Sequence, residues 1–245
     1  MNRQPVYLFT DFGGEGPYLA QLESQFLNEP QLQTLRLLNN APATDAYHSA
    51  YLLAALYRNL PVKSGYLLAV VDPGVGSQRD ALLVTVGDMH IIAPDNGLLS
   101  RLMAEQGIQQ AGVLQQPDTL ASDSFHARDW FTPALLRHCH GEDICSHTMA
   151  HSEMVGHDWP SQLNEIIYID VYGNLFTGLP ANSASTQAVL KIAGHDIGYA
   201  RVFDGVAEGQ LFWYRNSSGQ VEIAANRASA AELLQAGIGD HFDLA

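Results

Sequence analysis

Positive charge is scarce in this chain. Only 12 lysines and arginines stand against 26 aspartates and glutamates in 245 residues, a formal net charge of −14. A nucleic-acid backbone is held by Lys and Arg that neutralise phosphates, so the deficit argues against nucleic acid as a partner, and equally against an anionic membrane surface. It does not exclude a cationic small-molecule substrate, which a negative protein attracts rather than repels. Cysteine is nearly missing too. Cys139 and Cys145 are too few for a disulfide framework, and a cytoplasmic protein with reduced thiols is expected. No apolar run reaches the length of a membrane span, and Met1-Asn-Arg-Gln-Pro5 lacks a signal-peptide core. Internal repeats and low-complexity tracts are absent as well.

What is present is a chain 47% hydrophobic, enough for one large core or two modest ones. Apolar runs at residues 6–10, 35–38 and 66–71 read as strands, separated by helical periodicity around Leu19, Leu22, Phe26 and Leu27 and again over residues 51–57. Residues 81–86 and 90–93, joined by Gly87-Asp88, read as a hairpin. This alternation predicts an α/β domain over residues 1–140, its sheet mainly parallel and flanked by helices. Over residues 141–163 the periodicity fades, which predicts a linker or long loop. From 164 to 245 short strands recur with turn residues between them, the pattern of an all-β domain.

Several stretches carry residue types suited to chemistry. In Val71-Asp-Pro-Gly-Val-Gly-Ser-Gln-Arg79 a strand delivers Asp72 to its C-terminal end. The turn then leaves Arg79 able to swing back towards it. Open α/β sheets place their ligands at that edge, although an Asp–Arg pair that merely closes the turn fits equally. Asp11, after the first strand, lies on the same edge and is able to hold a ribose diol or to cap the following helix. His126, in Ser-Phe-His-Ala-Arg-Asp-Trp-Phe, titrates near neutrality and fits a base, an orienter of water or a structural histidine. In the second domain, Asp170-Val-Tyr-Gly-Asn-Leu-Phe176 sets Tyr172, Asn174 and Phe176 as a flat, hydrogen-bonding cradle for a heterocycle, or as a plain hairpin turn. The turn Asn216-Ser-Ser-Gly219 offers Ser217 and Ser218 to a carboxylate. His138, Cys139, His140, Cys145, His147, His151 and His157 invite a zinc reading, but their spacing matches no usual site. No metal is therefore assigned.

Taken in order, Thr10-Asp-Phe-Gly, Val71-Asp-Pro-Gly-Val-Gly with Arg79, Ala93-Pro-Asp-Asn-Gly-Leu-Leu, Phe125-His-Ala-Arg-Asp-Trp-Phe, Asp170-Val-Tyr-Gly-Asn and Asn216-Ser-Ser-Gly resemble the S-adenosyl-L-methionine (SAM) hydroxide adenosyltransferases. These are the SAM hydrolases, related to the SAM-dependent chlorinase and fluorinase. The resemblance implies hydrolysis of SAM to adenosine and L-methionine by water attacking the ribose C5′. It also implies an N-terminal α/β domain, a C-terminal barrel-like β domain, and a homotrimer whose substrate lies between subunits. Its Asp–Arg–His set, absent from the halogenating members, falls on Asp72, Arg79 and His126. Asp11 would hold the ribose, Asp170 with Ser217 and Ser218 the methionine end, and Tyr172, Asn174 and Phe176 the adenine. No metal or organic cofactor is implied, since the sulfonium leaves as neutral methionine. The chain departs from the family pattern at Gly16, where an Asp is usual, and at Asn39-Asn40, where a His-containing motif is usual. A silent SAM or adenosine binder and a halide-transferring enzyme are the alternative readings.

Overall fold

Strands buried on both faces need an apolar side chain at nearly every position, and the central strands of the first unit, Met1–Trp159, have them. In the computed structural model, which describes residues 3–245, the order is β1 (Gln4–Thr10), α1 (Pro17–Ser24), β2 (Leu32–Leu38), α2 (Ala46–Arg58), β3 (Ser64–Val70), β4 (Ala81–Val86), β5 (Asp88–Pro94), α3 (Ser100–Gln106), β6 (Gln110–Leu114), α4 (Thr132–Cys139) and β7 (Cys145–Thr148). They make a seven-stranded sheet, β2-β1-β3-β5-β4-β6-β7. The expected parallel part is β2-β1-β3-β5. The hairpin through Gly87 turns the chain back, so β4, β6 and β7 extend the sheet antiparallel.

Local chemistry explains the helix starts. Pro17 occupies the first turn of α1, as its fixed φ favours. Asp45 caps α2 by accepting the His48 backbone N–H at 3.1 Å. Strand β7 corrects part of the linker expected at 141–163, because Cys-Ser-His-Thr pairs with β6. As an exposed edge strand it has no inward apolar alternation to reveal it. Cys139 and Cys145 are both free thiols.

The turn after β5 braces the strand end that carries Asp72. Asn96 Nδ2 donates to the Val71 carbonyl at 2.8 Å, and Asn96 Oδ1 accepts the Leu98 N–H. Gly97 beside it has φ +91°, and a β-carbon there would fall inside the Trp159 ring. Gly97→Ala should therefore cost at least about 1–3 kcal/mol from backbone strain alone. Thermal unfolding followed by circular dichroism should show a Tm lower by several degrees, and an unchanged Tm would mean the turn is not rigidly held.

The second unit, Pro160–Ala245, contains β8 (Leu163–Ile169), β9 (Leu175–Pro180), β10 (Leu190–Ile192), β11 (His195–Ile197), β12 (Leu211–Arg215), β13 (Gln220–Ala225), α5 (Ala230–Leu234) and β14 (Asp243–Leu244). Its antiparallel sheets run β12-β13-β9-β8 and β11-β10-β14. Alternation along β13 sends Val221, Ile223 and Ala225 into a core with Trp213, Leu190 and Phe242, and turns Glu222 to the opposite face. No helix among the described residues is long and apolar enough to cross a membrane.

Candidate active site

Asp72 stands two residues beyond the end of β3, just before the turn. Its Oδ1 accepts the Gly74 N–H at 3.2 Å and the Arg79 Nε–H at 2.7 Å, and Arg79 Nη2 closes a second, short contact to Oδ2. The fork geometry is bidentate, and both side chains are almost wholly buried. The same Nη2 lies 3.3 Å from His126 Nδ1. Arg79 therefore bridges the other two, although the outer pair are 54 residues apart in sequence (126 − 72). The Phe131 ring lies 5.3 Å from the guanidinium carbon and backs it.

The segment on its C-terminal side fixes His126. Residues Ala127–Phe131 form a single π-helical turn that runs into α4, and Thr132 Oγ1 donates to the Ala127 carbonyl at 2.7 Å. Such turns recur where a helix must aim a side chain. Trp130 and Phe131 flank the imidazole edge-on. A guanidinium only donates, so Nδ1 is the acceptor and the neutral ring carries its proton on Nε2. Burial, and then the Arg79 charge, hold His126 below the usual histidine range, so it is neutral at pH 7. Arg128 and Asp129 pair with each other at 2.7 Å, and Arg128 also donates to Gln21.

Asp11 joins this group from the end of β1. Its Oδ2 accepts the Thr44 N–H at 2.8 Å. Burial raises its pKa above the ordinary carboxylate value, with the Asp72 charge adding to the rise. Asp11, Asp72 and His126 line one cleft of about 70 Å³ with Phe12 and Phe125, room for about two waters at roughly 30 Å³ each. The cleft thus sets two carboxylates and a neutral imidazole around one small space, with Arg79 bridging Asp72 and His126.

The second unit has a cavity of its own, about 710 Å³, lined by Asp170, Tyr172, Asn174, Phe176 and Ser217. Asp170 organises the turn: its Oδ1 accepts the Tyr172 and Asn174 N–H groups and its Oδ2 accepts Asn174 Nδ2, all at 2.9 Å. Gly173 has φ +81° and packs so tightly on Ser229 that a β-carbon would overlap that side chain. The turn is thereby seated on the N-cap of α5. Tyr172 is 76% exposed, a free ring face at the cavity. Ser218 does not line the cavity; its N–H donates to Asn216 Oδ1.

Sequence reasoning missed Phe203, Tyr214, Glu222, Arg227 and Ser229 as part of this cavity. One signal was present. Glu222 is a carboxylate in the middle of a strand whose other residues are mostly apolar. The histidine- and cysteine-rich stretch does not converge, for among the described residues no three His, Cys, Asp or Glu side chains gather as metal ligands. His138 instead packs edge-on against His90, with ring centres 4.7 Å apart, in a separate cleft of about 290 Å³.

Comparison with known proteins places these features in a family. A family model described as the SAM hydroxide adenosyltransferase N-terminal domain matches residues 6–147, and its C-terminal counterpart matches residues 164–243. An (R)-S-adenosyl-L-methionine hydrolase of Thermus thermophilus is 30% identical, over 94% of this chain and 95% of the relative. One from Salinispora arenicola is also 30% identical, over 95% and 94%. Among solved structures, a conserved hypothetical protein from Thermus thermophilus superposes with a TM-score of 0.80 at 28% identity, covering 99% of this chain and 100% of that one. An uncharacterised conserved protein from Thermotoga maritima shares the fold at TM-score 0.84 and 21% identity, covering 98% and 99%. With both domain models matched in order over most of its length, this chain belongs to the SAM hydroxide adenosyltransferase family.

Proposed function

We propose that this protein hydrolyses S-adenosyl-L-methionine to adenosine and L-methionine, with Asp72, Arg79 and His126 fixing the attacking water. The observation that carries this reading is the Arg79 guanidinium bridging Asp72 and His126, which line one cleft together with Asp11. Asp11 takes the ribose hydroxyls, Tyr172, Asn174 and Phe176 the adenine, and Asp170 with Ser217 the amino-acid end.

The chemistry asks little of acid–base catalysis. The C5′–S bond breaks as the C5′–O bond forms, and its electron pair returns sulfur to a neutral thioether. The attacking oxygen becomes strongly acidic as it bonds to carbon, so even an Arg-paired carboxylate such as Asp72 accepts its proton. What remains is to hold one water in line and exclude the rest, which is where orientation supplies the rate. His126, neutral and with its proton on Nε2, orients that water rather than deprotonating it.

The finer reading includes the assembly. The enzyme works as a cytoplasmic homotrimer, with the Asp72 cleft of one subunit facing the Asp170 cavity of the next. The family resemblance supports this, as does the exposure of the apolar Val171 and Tyr172 side by side on the Asp170 turn. Sedimentation at active concentrations should give three chains per particle.

Incubating the purified protein with SAM and separating products by chromatography should yield adenosine and methionine. In ¹⁸O-labelled water the label should enter the 5′-oxygen of adenosine. Absence of adenosine overturns the reading. A 5′-halo-5′-deoxyadenosine formed on adding chloride or fluoride would turn it to halide transfer.

A further inference from the structure

The cavity of the second unit contains a charge that the proposed hydrolysis leaves unused. Glu222 is 1% exposed, in the middle of β13. Its Oε1 accepts the Tyr214 hydroxyl at 2.5 Å from the adjacent strand, and its Oε2 accepts Asn216 Nδ2 at 2.8 Å. Both donors are neutral. The other charged groups on the cavity are Asp170 and Arg227. Asp170 is a second negative charge, and Arg227 is turned to Glu208 at 3.4 Å on the surface. No arginine, lysine or histidine among the described residues forms an ion pair with Glu222.

A buried carboxylate without a cation is costly, and proteins keep one only where something compensates it. The cost is visible here: burial, with Asp170 adding, raises the Glu222 pKa. The compensating charge is therefore sought in the ligand. Resting on SAM hydrolysis as the function, we infer that Glu222 is a positioning residue that selects the positively charged sulfonium substrate over its neutral counterparts. The sulfonium joins the adenosyl and amino-acid parts that this cavity receives, so it passes close to the carboxylate. Glu222 also holds Asn216, whose Oδ1 accepts the Ser218 and Gln220 N–H groups at 2.9 Å. The carboxylate thus shapes the serine turn while it sets the potential of the cavity. Hydrolysis removes the positive charge from the ligand, which weakens the hold on both products.

The test compares ligands that differ in charge. Glu222→Gln keeps both contacts, with the amide oxygen accepting Asn216 Nδ2 and the amide N–H donating to the Tyr214 oxygen, and removes only the charge. In the full-length enzyme this variant should raise KM for SAM about tenfold. The Ki of S-adenosylhomocysteine, the thioether that lacks the sulfonium charge, should move by less than about twofold, as should that of adenosine, with kcat little changed. Tyr214→Phe, which keeps the charge, should preserve the preference for SAM over the thioether. Parallel weakening of all three ligands in Glu222→Gln, or an unchanged KM for SAM, overturns the inference.

Should Glu222→Gln fail to fold, wild-type enzyme carries the test. Its KM for SAM should rise as pH falls through the raised Glu222 range while Ki for the thioether stays flat. A KM for SAM that tracks the thioether Ki across that range is the contrary result. Wild-type protein that forms no adenosine refutes the function itself. Active wild type with unselective weakening refutes only the role of Glu222.

Discussion

Arg79→Met should lose about a hundred- to a thousandfold in kcat, with KM for SAM changed far less. The side chain touches Asp72 and His126 at once, so its loss releases both groups proposed to orient the water, while the turns proposed to hold the ligand lie in the second unit. A collapse of the fold would also abolish activity, and the structure supplies the control. Asp72 and Arg79 are 5% and 10% exposed at their side chains, and stranding one buried ion of a pair costs about 3–5 kcal/mol. The double variant Asp72→Asn/Arg79→Met removes both ions and should recover most of the lost Tm without recovering turnover. Activity returning with stability in the double variant would mean that the pair only closes a turn.

How much of this was legible depends on where each signal is written. The Asp72 site was readable because the backbone there is specified locally: an apolar strand, then Pro73, Gly74 and Gly76, fixes where the carboxylate ends up. That Arg79 returns to it is within reach of a short turn. That His126 completes the set is a long-range fact, visible only through resemblance, since nothing local to the segment before α4 says which strand end it faces. The turn around Asp170 was legible for the same reason as Asp72, and the structure shows that carboxylate gathering three donors from its own turn.

The failures have physical causes as well. Strand β7 is polar and exposed at its edge, so it has no periodic pattern to detect. Strands β11 and β14 are too short for alternation to register. Glu222 was passed over because a strand is recognised by its apolar members. Its meaning depends on the cross-strand neighbours Tyr214 and Phe176, which no linear reading supplies. The histidines and cysteines of residues 138–157 are the opposite case, dense in sequence yet at a spacing that led to no metal being assigned. Density in sequence resembled a ligand set, while the helix, loop and edge strand that carry them disperse the side chains.

Turnover should fall steeply in acid, with a midpoint below 6.5, the ordinary histidine value from which burial and Arg79 depress His126. Protonation there removes the acceptor that Arg79 uses and sets two cations 3.3 Å apart. Below that midpoint kcat should drop about tenfold per pH unit. Stability should move in the same direction. The folded pKa lies under the unfolded one, so the unfolded chain takes the proton first; this contribution is complete above 6.5 and is lost as pH falls through the folded value. His126→Asn places an amide oxygen near the position of Nδ1, retains the Arg79 contact and cannot titrate. It should be slower than wild type by about ten- to a hundredfold for want of the Nε2–H, and its acid limb should move down to the lower range where Asp11 titrates. An acid limb unmoved in His126→Asn would assign that ionisation to Asp11, whose own pKa is raised by burial, and would leave the imidazole as packing between Trp130 and Phe131.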